Sequence, residues 1–364
     1  MGSVAKRPDG RWRARYRDAE GREHAKHFAR KVDAQAWLAD ESTARRAGTW
    51  VDPRKSRTLL ADEASTWLDA HPDWAASTRA RNEGIVSRHI LPRWGAVPMS
   101  AVTAEAIQEW VSHLSANVSP ASVRKIIGVL SGILDTAIRM GRLTDNPCHR
   151  VSLPRAAMAR RRYLSIEQVE ALADAAGPEH ALIVRVLAYC GLRWGEMAAL
   201  RGASVDLGRR RLRVEESVTD VGGHLVFSEP KTHQRRSVPW PDFLDAEFVA
   251  LVALRRDDEL LFHSSTGSPL RVGNARRSWW DRACENAGIG ALTPHELRHT
   301  AASLAVSAGA SVLAVQRMLG HAKPSMTLDV YADLFDQDLD MVSEALSRSR
   351  ADFLRTKPIS TDPA

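Results

Sequence analysis

Thr293-Pro294-His295-Glu296-Leu297-Arg298-His299 reads as the start of a helix with cationic side chains gathered at its positive end. Thr293 is placed at the N-cap, Pro294 at the first helical position and Glu296 at the third. This is the capping-box spacing, in which side chains satisfy the backbone donors that a helix start leaves orphaned. His295 then lies in the first turn, where unpaired N–H groups and the helix dipole attract an anion. Arg298, three residues on, falls on the same face. An imidazole and a guanidinium at a helix start are what a phosphate site needs.

Helical spacing continues on both sides of this stretch. Downstream, a helix starting near Ser311 is predicted to stop at Gly320, leaving His321 on the following turn. Leu339, Val342 and Leu346 are spaced for a further helix within Leu334–Leu354 that seeks a groove, and the tail after Arg355 is expected to be disordered. Upstream, Ser165-Ile166-Glu167-Gln168 is a second capping box, and Leu182–Cys190 is an apolar helix. The exception is Leu212–Pro239, where Arg211–Val214 and Arg235–Pro239 read as short strands with Lys231 on the loop between them.

Four amphipathic segments, Leu59–His71, Ser77–Ile90, Thr103–Leu114 and Ser119–Met140, predict a helical bundle, the last opened by Ser119 before Pro120. Val51–Ser56 is a polar linker, and residues 151–164, with Arg155, Arg160, Arg161 and Arg162, read as a basic one. Residues 10–18 alternate arginine with small or aromatic residues, the period of a half-buried strand with a basic face carrying Arg11, Arg13, Arg15 and Arg17. A turn at Ala19–Gly21, a second strand to about Ala29 and a helix over Val32–Ala47 ended by Gly48 complete a small sheet with one covering helix.

At 364 residues the chain exceeds what one core serves, and 44% apolar content suits a globular protein. The longest apolar stretch, Ile126–Ile138, is too short and too interrupted by Ser131 and Asp135 to span a bilayer, and no apolar run near the start reads as a secretion signal. Cys148, Cys190 and Cys284 lie too far apart for a disulfide framework or a cysteine-rich metal site, which suits a reducing cytoplasm. The net charge is +7, and all of it sits in residues 1–57, which hold 15 Lys/Arg and 8 Asp/Glu; the rest of the chain holds 36 of each. A compact basic module on an otherwise neutral chain favours a polyanion partner.

Five stretches then fall into a series: Gly191-Leu192-Arg193-Trp194-Gly195-Glu196, Glu229-Pro230-Lys231-Thr232, His295–His299, Leu319-Gly320-His321 and Asp329-Val330-Tyr331-Ala332. The series resembles the tyrosine recombinases, the lambda-type phage integrases, over nearly the whole chain. The resemblance implies a multidomain, mainly α protein. Its parts are a small α+β arm-binding domain over 1–56, a four-helix core-binding domain over 57–150, a linker over 151–164, a mostly helical catalytic domain with a small antiparallel sheet over 165–355, and a disordered tail over 356–364.

It also implies roles. Arg193, Arg298 and His321 would hold the scissile phosphate, Lys231 would protonate the leaving 5′ hydroxyl, His295 would help move protons, and Glu196 and His299 would support them. Of the four tyrosines, Tyr16 lies in the basic strand, Tyr163 begins the catalytic domain and Tyr189 falls in the apolar helix, which leaves Tyr331 as the nucleophile. No metal and no cofactor is expected. The implied partners are double-stranded DNA at core and arm sites and a homotetramer assembled on it, with an excision factor and a host DNA-bending protein as accessories, in the cytoplasm of a bacterial host. An excess of arginine over lysine, 43 to 8, hints at a GC-rich genome.

Three other classes of protein share parts of this pattern. His295-Glu296-Leu297-Arg298-His299 also matches the zinc-protease pattern, but Ala302 and Ala305 stand where the longer metalloprotease pattern needs Gly and His, and no glutamate follows Glu296 until Glu344. A DNA-binding protein without catalysis would have no need to fill every site position. A type IB topoisomerase shares the chemistry, but the basic amino-terminal module and the four-helix segment favour an integrase.

Overall fold

The computed structural model describes every residue except 1, 49, 53, 156–161, 231–234, 322–345, 353–354 and 356–364. By internal contacts the chain divides into two units, Met1–Met158 and Ala159–Ala364, so the basic sheet and the helical bundle fall within one unit.

The first unit opens with three antiparallel strands in the order β1 (Ser3–Lys6), β2 (Trp12–Arg17), β3 (Glu23–Phe28), followed by α1 (Lys31–Arg46). β1 was not anticipated; it is a short edge strand with little buried surface to leave a pattern. β2 follows the expected alternation: Ala14 and Tyr16 are buried on the side of α1, while Arg15 and Arg17 are exposed on the other. Arg13 and Arg15 share that face with Glu23 of β3, at 2.7 and 3.4 Å, so part of the arginine charge is answered locally. Beneath the sheet, the Tyr16 hydroxyl and the Trp50 indole both donate to Glu41, at 2.9 and 2.8 Å.

The helices that follow are α2 (Leu60–Asp69), α3 (Ala76–Ile85), α4 (Ala104–Ser115) and α5 (Pro120–Arg139). Thr103 and Ser119 cap the last two, accepting from Ala106 at 3.2 Å and Ser122 at 3.4 Å. The second predicted helix does not stop at Ile90. It widens through a π-helical turn over Val86–Ile90, with the Leu91 N–H donating to Val86, and so carries past Pro92 to Trp94. Trp67, Ile107, Trp110, Ile126, Leu130 and Leu134 fill the core. Gly132 lets α5 approach Trp67 closely: a Cβ there would lie 3.0 Å from the indole nitrogen, so the ring would have to give by a few tenths of an ångström.

The start of the expected linker over 151–164 is fastened to the bundle. Ser152 exchanges two hydrogen bonds with Gln108 of α4, at 2.8 and 3.3 Å, and Arg124 of α5 donates to the Pro154 carbonyl at 2.9 Å. Residues 152–154 therefore belong to the bundle surface. Arg160 and Arg161 lie outside the described residues, and Arg162 is half-buried.

The second unit contains α6 (Ile166–Ala176), α7 (Ala181–Cys190), α8 (Trp194–Met197), β4 (Val205–Asp206), β5 (Arg211–Val214), β6 (Ser217–Val221), β7 (His224–Ser228) and β8 (Arg236–Pro239). After these come α9 (Asp245–Ala253), α10 (Val272–Ala275, continuing through Arg276–Trp280 to Asp281–Asn286), α11 (Pro294–Ser307) and α12 (Val312–Leu319). α7 is the core helix, with Ile183, Val184, Val186 and Leu187 buried in a cluster that includes Trp280 and Leu297. The two predicted strands do pair, as β5 with β8, but a second hairpin, β6–β7, stands between them. No described helix is long and apolar enough to cross a membrane.

Candidate active site

Two left-handed glycines set the site. α7 ends at Gly191 with φ 66°, and a Cβ there would lie 2.8 Å from Leu319 and 3.2 Å from Ala301, so α11 and α12 close directly onto this turn. α12, capped by Ser311, ends as expected at Gly320 with φ 65°, and His321 follows with its N–H donating to the Gln316 carbonyl at 3.1 Å. Arg298, buried on α11 with 3% exposure, ties the two turns together. Its Nη1 donates to the Gly191 carbonyl at 2.5 Å and its Nη2 to the carbonyl of Leu319.

Arg193 lies two residues past Gly191, and Glu196 holds it at both ends. The Arg193 backbone N–H donates to Glu196 Oε2 at 2.9 Å and its Nη1 to Oε1 at 2.8 Å. The same carboxylate takes a fork from a residue that sequence reasoning missed. Arg236 of β8 donates to Oε1 at 3.1 Å and Oε2 at 2.6 Å, and its Nε donates to the Met318 carbonyl at 3.0 Å. Burial alone would raise the Glu196 pKa, but hydrogen bonding and charge from Arg236, with Arg193 beside it, bring it down to about 2.

A carboxylate depressed from its ordinary 4.5 to about 2 stabilises the fold above pH 4.5, and that stability drains as pH falls toward 2. Denaturant unfolding between those pH values should therefore be steeper in pH for the native chain than for Glu196→Gln. The difference is at most one proton, about 1.4 kcal/mol per pH unit. Equal slopes would show that the pair does not form.

His321 is half-buried, and burial together with the charges of Arg298 and Arg193 pushes its imidazole down to about 4. It is neutral near pH 7, able to offer one N–H to a phosphate without adding charge. α11 begins at Pro294 as expected, and the Thr293 N–H and hydroxyl both donate to Glu296, at 2.6 and 2.9 Å. His295 and Arg298 do not share an environment, however: His295 is exposed and Arg298 is buried. The residue beside His295 on the surface is His299, with ring centroids 5.3 Å apart. Among the described residues, the one group spaced to hold a metal ion is Asp18, His24 and Asp52, and there His24 is hydrogen-bonded to Asp18 at 2.8 Å; neither histidine of α11 belongs to it. Lys231 and Tyr331 lie outside the described residues.

A basic sheet module, a bundle of helices, and a helical unit that gathers arginines and a neutral histidine at its helix ends suit a protein that handles DNA phosphates. Comparison with known proteins agrees. Residues 1–47 match the N-terminal domain of phage integrases, residues 60–153 the phage integrase central domain, and residues 162–338 the phage integrase family. The integrase of Mycobacterium phage L5 is 26% identical over 335 residues, covering 88% of this chain and 89% of that one. The putative prophage phiRv2 integrase of Mycobacterium tuberculosis is 27% identical over 344 residues, covering 90% of each.

Among solved structures, the Tn1549 transposon integrase in complex with a circular intermediate DNA superposes with a TM-score of 0.67 at 20% identity, covering 78% of this chain and 100% of that one. Lambda integrase, as a tetramer bound to a Holliday junction, gives 0.60 at 19% identity, covering 88% of this chain and 96% of that one. The chain belongs to the phage integrase family of tyrosine recombinases and is a site-specific DNA recombinase.

Proposed function

We propose that the chain integrates a phage or other mobile element by exchanging DNA strands through a 3′-phosphotyrosine on Tyr331. The observation that carries this reading is the convergence of Arg193, Arg298 and His321 around Gly191 and Gly320, with Glu196 as the buried anchor. Two fixed cations and a neutral donor suit the charge that develops on the non-bridging oxygens of a phosphodiester. The Tyr331 oxygen attacks phosphorus, the bond to the 5′ oxygen breaks, and Lys231 supplies the proton that the departing oxygen needs, with His295 helping to take the phenolic proton. The 5′ hydroxyl of the partner strand then reverses the step. One phosphate ester replaces another, so no nucleotide is consumed.

Residues 1–56 would bind arm sites through the arginine face of β2, residues 57–150 the core site, and residues 165–355 would carry out the chemistry. Four protomers would assemble on two duplexes, with the segment over Leu334–Leu354 docking onto a neighbour. An excision factor would set direction and a host DNA-bending protein would be a further partner, in the cytoplasm of a bacterial host. Support comes from relatives named integrase and from the DNA-bound neighbours described above.

The test is strand exchange between two duplexes carrying the element's attachment sites, in excess EDTA and without nucleotide. Recombinant product is expected at full yield. A requirement for added magnesium or ATP would contradict the mechanism.

A further inference from the structure

We propose that Arg236 is a positioning residue for phosphoryl transfer, holding Arg193 and His321 in register; the inference rests on the roles proposed above for those two side chains. Arg236 is the first residue of β8, and its side chain is 7% exposed. All three of its side-chain nitrogens are engaged by the protein, two by Glu196 and one by the Met318 carbonyl. It is thus placed to orient other groups rather than to touch a substrate.

What it joins is specific to the site. Glu196 accepts two hydrogen bonds from Arg193 and two from Arg236, one of each on either oxygen, so the position of one guanidinium depends on the other. Met318 lies in the last turn of α12, three residues before His321. One planar fork therefore fixes the turn that bears Arg193 against the helix end that leads to His321. Gly320 gives a second sign of the fit: a Cβ there would lie 2.9 Å from Arg236 Cδ and 3.1 Å from Nε, so the left-handed turn is shaped around this side chain. A lysine keeps the charge but cannot reproduce the fork together with the third bond.

The experiment measures single-turnover cleavage of a nicked suicide duplex by the full chain, with duplex affinity and unfolding midpoint in parallel, for Arg236→Lys, Arg236→Gln, Arg193→Gln and the double variants. Arg236→Lys should bind the duplex within about threefold of the native chain yet cleave on the order of 10²-fold more slowly, as expected when a catalytic group is misplaced rather than removed. Because Arg236 acts through Arg193, adding either Arg236 substitution to Arg193→Gln should slow cleavage by no more than about threefold further. Should Arg236→Gln fail to fold, Arg236→Lys with its double completes the cycle. The inference is overturned if Arg236→Lys cleaves within about threefold of native, or if losses in the double variant multiply. Adduct formation by the native chain tests the proposed function separately, so the two can fail independently.

Discussion

Tyr331→Phe should bind its DNA site as the native chain does and form no covalent adduct with it. The substitution removes one oxygen and leaves the ring. Loss of a nucleophile that works within a set of partners costs on the order of 10⁶ in rate. Neither Tyr16 nor Tyr189 is prepared to substitute. Burial and the hydrogen bond to Glu41 push the Tyr16 phenol up to about 12. Burial and Glu170, which accepts from the Tyr189 hydroxyl at 2.8 Å, push that phenol higher still. Each carboxylate favours the protonated phenol, whereas a nucleophile must approach the phenolate. Denaturing gels of a suicide-duplex reaction read the result directly, and an undiminished adduct from Tyr331→Phe would remove Tyr331 from the mechanism.

Glu196→Ala is the second large effect, and it falls on stability. Glu196 is 1% exposed and accepts from two arginines, one of which, Arg236, is 7% exposed. Removing the carboxylate leaves the buried Arg236 cation without its anion, beside the half-buried Arg193, and breaking a buried pair in this way typically costs about 3–5 kcal/mol. Glu196→Gln keeps one acceptor oxygen and should lose less. Urea unfolding of the full chain, followed by a probe in the second unit such as the buried Trp280, measures the shift. A loss below about 1 kcal/mol would place the pair among exposed ion pairs, whose contributions are that small.

The helical frame was legible in the sequence because its signals are local. Ser165 with Gln168, Ser119 with Pro120, Thr293 with Glu296, and Ser311 with Gly320 each mark a helix end within a few residues, and each element starts or stops there. The β6–β7 hairpin has a signal too: Gly222-Gly223, at φ 58° and 87°, is a two-residue turn between β-forming residues. Arg236 had none. Its alternation with Val238 marks a strand, but the carboxylate it pairs with is 40 residues away, and no spacing rule connects them. Arg298 shows a related gap, since a three-residue offset from His295 places both on nearby faces without saying which faces the interior. Ser152 and Pro154 read as linker because their fastening comes from Gln108 and Arg124 on helices 44 and 30 residues earlier.

The central claim, that this chain joins itself to DNA through Tyr331, is tested most directly by isolating the covalent complex of the native chain with a suicide duplex, digesting both components and identifying the linked peptide by mass. A single peptide containing Tyr331, bonded through its phenolic oxygen to a 3′ phosphate, is expected. Linkage at Tyr163, at a serine or to a 5′ phosphate would contradict the mechanism, as would the absence of any linkage on a duplex that the chain binds and recombines.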